Sequence, residues 1–307
     1  MSVESVAASD VAPYRPFRVH LARRHRLGAS LLRLTLAGDD LHLLGSRGCD
    51  QRVKLVLPVA GRGVESSLLG LDWLERWRAM PVHGRPAVRT YTMRRARPAL
   101  REVDIDVVVH GATGPASAWA ERARPGEDVV LIGPDARFDG DCGGVEWRPP
   151  GEQCRLLLAG DESALPAICS IVEQLPDGAC GHVVVEVPEE GDVLTVSCPA
   201  GVTMTWLPRR GVRHGRLLAE SVLEVAPGLL DTGAPTAPGE AVSASEPGDD
   251  LLWEVPAQPA PSQCYAWLAG EAGVVTHLRR CLVRDLGVDR RSVAFMGYWR
   301  QGRASPS

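Results

Sequence analysis

Close to residue 150 the apolar residues of this chain change their spacing, and the change divides it into two kinds of fold. From Phe17 to about Pro134, short runs such as PFRVHLARR, SLLRLTLAG, QRVKLVLPV, AVRTYTMRR, REVDIDVVVHG and EDVVLIGP are broken by turn residues. Several alternate apolar with polar, as in Val103-Asp104-Ile105-Asp106-Val107, which predicts half-buried antiparallel strands. A succession of such strands predicts a small closed barrel of six antiparallel strands. Beyond residue 153 the runs CRLLLAG, HVVVEVP and CYAWLAG are almost wholly apolar and alternate with helical segments, ALPAICSIVEQL and EAGVVTHLRRCLVRDLG. Continuous apolar strands separated by helices predict a mostly parallel sheet covered on both faces.

The expected organisation is therefore a flexible tail over 1–14, a β-barrel domain over 15–137, a linker over 138–153 and an α/β domain over 154–303. The linker, FDGDCGGVEWRPPGEQ, is rich in Gly, Pro and acids and carries no apolar period. Within the second domain, Pro227 to Asp250 is poor in large apolar residues and reads as a mobile or disordered insert near 227–250. No internal repeat of fixed period is visible. Two cores suit a chain of 307 residues.

Composition excludes several function classes. No run of about 18 apolar residues is present, so no membrane insertion is expected, and the N-terminus lacks the pattern of a secretory signal. A cytoplasmic location and a monomer follow as expectations, and a net charge of −4 argues against a nucleic-acid partner. Eight cysteines are scattered without CxxC or zinc-like spacing, which predicts free thiols and no bound metal. Lys54 is the only lysine among 34 basic residues. Where Arg serves every generic positive charge, a retained Lys marks a place that needs a compact ammonium, and Lys54 is a candidate ligand-binding residue. In the alternating run Val53-Lys54-Leu55 it should point away from the apolar set.

Four segments carry chemistry. Arg89-Thr90-Tyr91-Thr92-Met93-Arg94 offers a ring flanked by a hydroxyl and guanidinium groups, suited to packing on a flat heterocycle and pairing with a phosphate, or to an ordinary Arg-rich strand. His110-Gly111-Ala112-Thr113-Gly114-Pro115-Ala116-Ser117 sets a tight turn before a short helix; its first amides make an anion site, and a plain N-capping serine explains it equally well. Gly160-Asp161-Glu162-Ser163 follows a strand and opens a helix, the crevice position of an α/β sheet, although GxGxxG is absent and the acids also suit a helix start. Trp267 to Glu271 and Gly297-Tyr298-Trp299-Arg300-Gln301-Gly302 complete the set.

Taken in order, RTYTMR, HGATGPASAWA, PGEDVVLIGP, LAGDESALPAI, AGEAGVVTHLRR and GYWRQG resemble the siderophore-interacting proteins, FAD-dependent reductases related to ferredoxin reductase; the likeness covers about Phe17 to Gly302. The resemblance implies that Arg89, Tyr91 and Thr92 bind the flavin and that His110, Gly111, Gly114, Ala116 and Ser117 wrap the FAD. It assigns Gly160, Asp161, Glu162 and Ser163 to the NADPH or NADH side, with Ser163 standing where many relatives carry Thr. The barrel becomes an FAD-binding domain and the α/β domain a nucleotide-binding one, as in ferredoxin reductase. The implied activity is NAD(P)H-dependent reduction of a ferric siderophore, with Lys54 and Arg300 as substrate-binding cations. Ferredoxin is an alternative electron donor; no decisive 2′-phosphate clamp is visible after the third strand of the α/β domain, where Arg209, Arg210 and Arg213 are the candidates, and the donor leans toward NADPH. Two rivals stay open: a flavoprotein reductase with another acceptor, and a non-enzymatic siderophore- or flavin-binding protein. No cysteine cluster for an iron–sulfur centre is present.

Overall fold

Strands β1 (Tyr14–Arg26), β2 (Leu31–Ala37), β3 (Arg52–Val56), β4 (Val88–Arg97), β5 (Glu102–Val108) and β6 (Asp128–Pro134) close on one another in the order β1-β2-β5-β4-β3-β6. These elements belong to a computed structural model that describes residues 11–59, 62–109, 114–152, 154–233, 252–257 and 262–302. Every barrel pairing is antiparallel, and closure leaves no free sheet edge. The lumen is filled by Phe17, Leu21, Leu34, Leu36, Leu55, Ile105 and Leu131, all fully buried, and each such side chain contributes about 1.5–3 kcal/mol. The expected tail boundary moves slightly: Tyr14 already opens β1, and Pro13 accepts a backbone hydrogen bond from Asp135 at 3.0 Å. Residues 1–10 lie outside the described residues.

β5 is the antiparallel strand its alternation predicts, and its polar positions, Asp104 and Asp106, are buried as well. Arg33 makes a two-pronged contact to Asp106 at 2.7 and 2.8 Å, and Arg97 does the same to Asp104 at 2.6 and 2.7 Å. Arginine forks replace water around these carboxylates, so the polar face of the strand is covered rather than wet.

Between β3 and β4 the chain makes an excursion that the apolar pattern did not announce. A 3-10 turn, Ser66–Leu69, and helix α1 (Trp73–Ala79) pack Leu68 and Trp73 against outward-facing Val56, Val130 and Ile132, forming a small second core outside the barrel. From β5 the chain reaches helix α2 (Pro115–Arg122), which buries Trp119 and Ala120 on the barrel core.

The second domain is a sheet of order β10-β12-β11-β7-β8-β9, made of β7 (Arg155–Gly160), β8 (Cys180–Val187), β9 (Gly201–Pro208), β10 (Trp253–Glu254), β11 (Cys264–Glu271) and β12 (Val293–Trp299). All pairings are parallel except β10 with β12. Successive residues of β7 point to opposite faces: Leu156 and Leu158 meet α3 (Leu165–Val172), while Leu157 and Ala159 meet α4 (Arg216–Leu229) and α5 (Ala272–Arg279). Both faces are therefore covered, which is why these strands are apolar throughout. The expected insert starts later than its composition suggested, because Pro227, Gly228 and Leu229 form the last turn of α4; residues 234–251 lie outside the described residues. The segment expected as one helix after Glu271 is α5 followed by a π-helical turn, Arg280–Asp285.

The two units share an interface. Helix α3 lies against β4, where Ser170 Oγ donates to the Arg94 carbonyl at 3.3 Å and the Arg94 guanidinium pairs with Glu173. Asp192, in the turn after β8, accepts from both the backbone N and the Oγ of Ser30, each at 2.6 Å. The linker adds a third tie: the buried Asp50 carboxylate accepts from the backbone of Glu146 and Trp147 at 3.0 and 3.2 Å.

Candidate active site

The register of β3 with β4 sorts the barrel-side candidates. Lys54 pairs with Thr90 and Arg52 with Thr92, while the neighbours Val53 and Leu55 fill the lumen. Arg52, Lys54, Thr90 and Thr92 thus share the outer face of the barrel, and Lys54 does turn away from the apolar set. Arg89 and Tyr91 take the other side of β4, where the Tyr91 ring packs partly against the barrel core. Burial pushes the Tyr91 phenol up to about 12 despite the opposing charge of Arg89, so the ring is neutral at any physiological pH.

Because β4 and β5 are antiparallel, the start of β4 and the end of β5 lie at the same end of the barrel. The chain leaves β5 there and enters α2 through Gly114, an extended N-cap residue whose missing side chain would meet nothing within 4 Å. No side chain caps the first amides of α2, and Pro115 opens the helix, where it needs no donor. Ser117 Oγ instead donates to the Val108 carbonyl at 3.3 Å, and Ala116 packs on the barrel core. His110 and Gly111 lie outside the described residues. A neutral aromatic ring, a guanidinium and an uncapped helix start at one end of the barrel fit the ring and the pyrophosphate of an FAD.

On the α/β side the chain runs outward from β7 through β8 to β9, then returns to place β11 and β12 on the other flank of β7. The carboxyl ends of β7 and β11 therefore bound the point where strand order reverses, the usual ligand crevice of such sheets. Gly160 ends β7 and Gly270 lies near the end of β11; a Cβ on Gly160 would come within 2.7 Å of the Ala269 carbonyl, and one on Gly270 within 2.7 Å of Asp161 Oδ2. Only glycine permits this approach.

Asp161 knits the crevice together. Its Oδ1 accepts from Ser163 N at 2.9 Å and from the Ser163 hydroxyl, and its Oδ2 accepts from Glu271 N at 2.8 Å and Trp299 Nε1 at 2.9 Å. Glu162 receives a two-pronged contact from Arg209 at 2.6 and 2.8 Å. Glu186 sits beneath them, fully buried, accepting from Arg209 at 3.3 Å and from the first amides of α4, Gly215 at 2.7 Å and Leu218 at 2.9 Å. His214 completes the group, with Nε2 3.4 Å from Asp161 and 3.8 Å from Glu162 and its ring edge-on to Trp299 at 5.1 Å. Burial opposes the charge of both His214 and Glu162, but the surrounding opposite charges outweigh it, holding His214 at about 9 and Glu162 at about 2.

Asp161, Glu162 and His214 bring their ligand atoms within 4.8 Å of one another, a spacing that would suit a metal ion. Arg209 supplies positive charge to Glu162 and Glu186 at this place, and with His214 the group forms one charge network. The carboxylates of Asp161 and Glu162, assigned by resemblance to the nucleotide side, are buried and shape the crevice from within. His214 and Glu186 had not been singled out from the sequence. Glu186 carried a usable signal, a lone acid inside the apolar run VVVEV, since a charge in a buried strand must have partners.

The candidate substrate cations occupy different elements, Lys54 on β3 and Arg300 just beyond β12. Between those elements runs a stack in which the Arg52 guanidinium lies 4.4 Å over Trp253, and Trp253 lies 5.8 Å from Tyr298. Of the three candidates for a phosphate clamp, Arg209 is committed to Glu162 and Glu186, Arg210 pairs with Glu190, and Arg213 is exposed.

Residues 20–138 match the model of the siderophore-interacting FAD-binding domain, and residues 154–302 that of the siderophore-interacting protein. An uncharacterized protein of Mycobacterium tuberculosis is 32% identical over 294 residues, covering 95% of this chain and 92% of its own length. The ferric vibriobactin reductase of Vibrio cholerae is 27% identical over 296 residues, covering 96% of this chain and 93% of its own. Among solved structures, a siderophore utilization protein from T. fusca superposes with a TM-score of 0.69 at 26% identity, covering 97% of both chains. A ferredoxin reductase of carbazole 1,9a-dioxygenase, 13% identical with a TM-score of 0.57 over 94% of this chain and 70% of its own, shares the fold.

Proposed function

The chain belongs to the siderophore-interacting protein family, and on that premise we propose that it is an NAD(P)H-dependent flavin reductase of ferric siderophores, releasing iron as Fe(II) in the cytoplasm. The observation that carries this reading is the junction of the two half-sites. Helix α3, which starts at the crevice where strand order reverses, packs against β4, the strand that presents Arg89, Tyr91 and Thr92. Ser170 lies near the far end of α3 and Arg94 two residues beyond Thr92, so the contact holds the crevice and the flavin strand on one frame. The named activity of the Vibrio relative, ferric vibriobactin reductase, supports the same direction of electron flow.

FAD, when bound, would accept hydride from the nicotinamide and hand its electrons singly to ferric iron. The protein's own residues do the rest. Tyr91 lends a neutral ring, Arg89 a positive charge and the first amides of α2 an anion cradle, with Gly114 leaving room for the approach. Gly160 and Gly270 keep the crevice open between β7 and β11, while Asp161 fixes Ser163 and Trp299 at its rim. Arg213, exposed after β9, is the residue suited to a 2′-phosphate, which favours NADPH as donor. Lys54 and Arg300 supply local positive charge to an anionic chelate on a protein whose net charge is −4. Iron release asks for no acid–base group, because hard oxygen donors hold Fe(II) far less firmly than Fe(III).

The test is production of Fe(II). Purified, FAD-loaded protein with NADPH and a ferric siderophore should colour a ferrous chelator at a rate that scales with enzyme; a rate equal to that of free FAD with NADPH would reject the reading.

A further inference from the structure

A cavity of about 310 Å³ opens on the outer face of the barrel beside Lys54, walled by Tyr14 of β1, Arg52 and Lys54 of β3, Trp73 of α1, Thr90 of β4 and Gly144 of the linker. Its volume is at the low end for small-molecule sites, enough for one ring of a chelate and too small for a whole one. We infer, on the reading of the preceding subsection, that this pocket takes a single aryl-oxyanion arm of the ferric complex, with Trp73 as the wall that selects catecholate chelates over hydroxamate ones.

Three observations carry the assignment. The first is charge without a counter-charge. Lys54 Nζ donates to Thr90 Oγ1 at 3.0 Å, and no carboxylate among the described residues pairs with it. Arg52 stands beside it, steered by Glu146 and by the Trp253 ring beneath its guanidinium. Lys54 is exposed, and the partial enclosure of its ammonium together with the Arg52 charge draws its pKa down, so an anion brought against the pair is favoured. An entering oxyanion supplies it.

The second is the aromatic lining. Tyr14 and Trp73 come from separate elements, and each is held in place by its own contacts. The Tyr14 hydroxyl donates to the Arg52 carbonyl at 3.1 Å and accepts from Gln51 Nε2 at 2.8 Å, while Trp73 is packed with Leu68, Val56 and Ile132. Rings held in this way meet a planar arm with little ordering cost. The third is the floor. Gly143 and Gly144 both have positive φ, +67° and +74°, and a Cβ on Gly144 would fall 2.3 Å from the Tyr14 hydroxyl. Two consecutive glycines let the linker close the pocket against Tyr14.

The ligand class follows from the chemistry. A ferric tris-catecholate is negatively charged and presents flat rings, so it satisfies both the cations and the aromatic walls. A ferric tris-hydroxamate is neutral and presents an aliphatic surface, and satisfies neither. Trp73 sits on the excursion between β3 and β4 and shares the cavity with Thr90 of the flavin-binding segment, so each Trp73 variant is scored only after its FAD content is measured.

The experiment compares two iron probes on the FAD-loaded full chain, the ferric complex of 2,3-dihydroxybenzoate and ferric acetohydroxamate, by equilibrium dialysis with labelled iron. The catecholate complex should bind at least about tenfold tighter. Trp73→Leu should lose about tenfold for the catecholate and under about twofold for the hydroxamate, while Trp73→Phe keeps most of the preference. Equal affinities for the two probes, or a Trp73→Leu protein that retains its FAD and its preference, would overturn the assignment. If Trp73→Leu does not fold, the wild-type preference and the Trp73→Phe protein decide it. Dialysis needs no electron flow, so selective binding by a protein that passes no electrons from NADPH would defeat the function and leave the pocket standing. Fe(II) production with unselective binding would do the reverse.

Discussion

The indole Nε1 of Trp299 donates to the buried carboxylate of Asp161 at 2.9 Å, fastening the end of β12 to the residue that follows β7. The same carboxylate receives Glu271 N from the end of β11, so one side chain ties together three strand ends at the point where strand order reverses. Trp299→Phe removes one donor and should cost about 1 kcal/mol. Asp161→Asn should cost more, about 2–3 kcal/mol, because its amide NH2 must face N–H groups that the carboxylate accepted from. Urea denaturation of both proteins gives the order, and equal losses would contradict it.

His214 gives the protein a pH signature. Its partners are Asp161 and Glu162, with Arg209 and then Glu186 behind them. A pKa raised from 6.5 to about 9 on folding means that the folded state binds this proton more tightly. The stability it confers is complete below about pH 6.5 and is lost as pH rises through about 9. Wild type should lose up to about 3 kcal/mol across that window, and His214→Gln much less. Urea midpoints taken across the window for both proteins check this, and parallel curves would refute it.

Arg209 is the cation on which two carboxylates depend, with both prongs on Glu162 and one shared with Glu186. Arg209→Met removes the fork from Glu162 and the shared prong from Glu186, leaving Glu186 the first amides of α4 and Glu162 its His214 neighbour, and should cost about 3 kcal/mol. Arg209→Lys keeps the charge but not the fork, and its denaturation midpoint should fall between those of Arg209→Met and wild type.

In the proposed function, Tyr91 would offer the flavin a face rather than a hydroxyl. Tyr91→Phe should hold FAD within about twofold of wild type, and Tyr91→Leu should hold it about tenfold more weakly. The ratio of FAD to protein after exhaustive dialysis measures both, and a Tyr91→Phe protein that loses its FAD would show that the phenol matters.

Much of this was legible in the sequence, for physical reasons that can be named. The barrel showed itself through period-two alternation, and the α/β sheet through strands apolar on both faces. Lys54 was correctly turned outward because Val53 and Leu55 had to turn inward. Other features depended on tertiary partners that local pattern does not encode. The burial of Asp104 and Asp106 could not be read from β5 alone, because Arg33 and Arg97, which cover them, lie on other strands. Helix α1 is only Trp73–Ala79, too short for a clear helical period, and its place is set by the outer face of β3 and β6. Pro227 read as a loop signal, yet it sits in the last turn of α4. His214 had no local signature, since its charge is created by two carboxylates more than fifty residues upstream.

The most direct measurement is an anaerobic single turnover. FAD-loaded protein mixed with one equivalent of NADPH should lose its flavin colour. Addition of a ferric siderophore with a ferrous trap should then restore the colour while about two Fe(II) appear per flavin, as two electrons require. A yellow protein that ignores both NADPH and NADH, or colour restored without trapped Fe(II), would contradict the account.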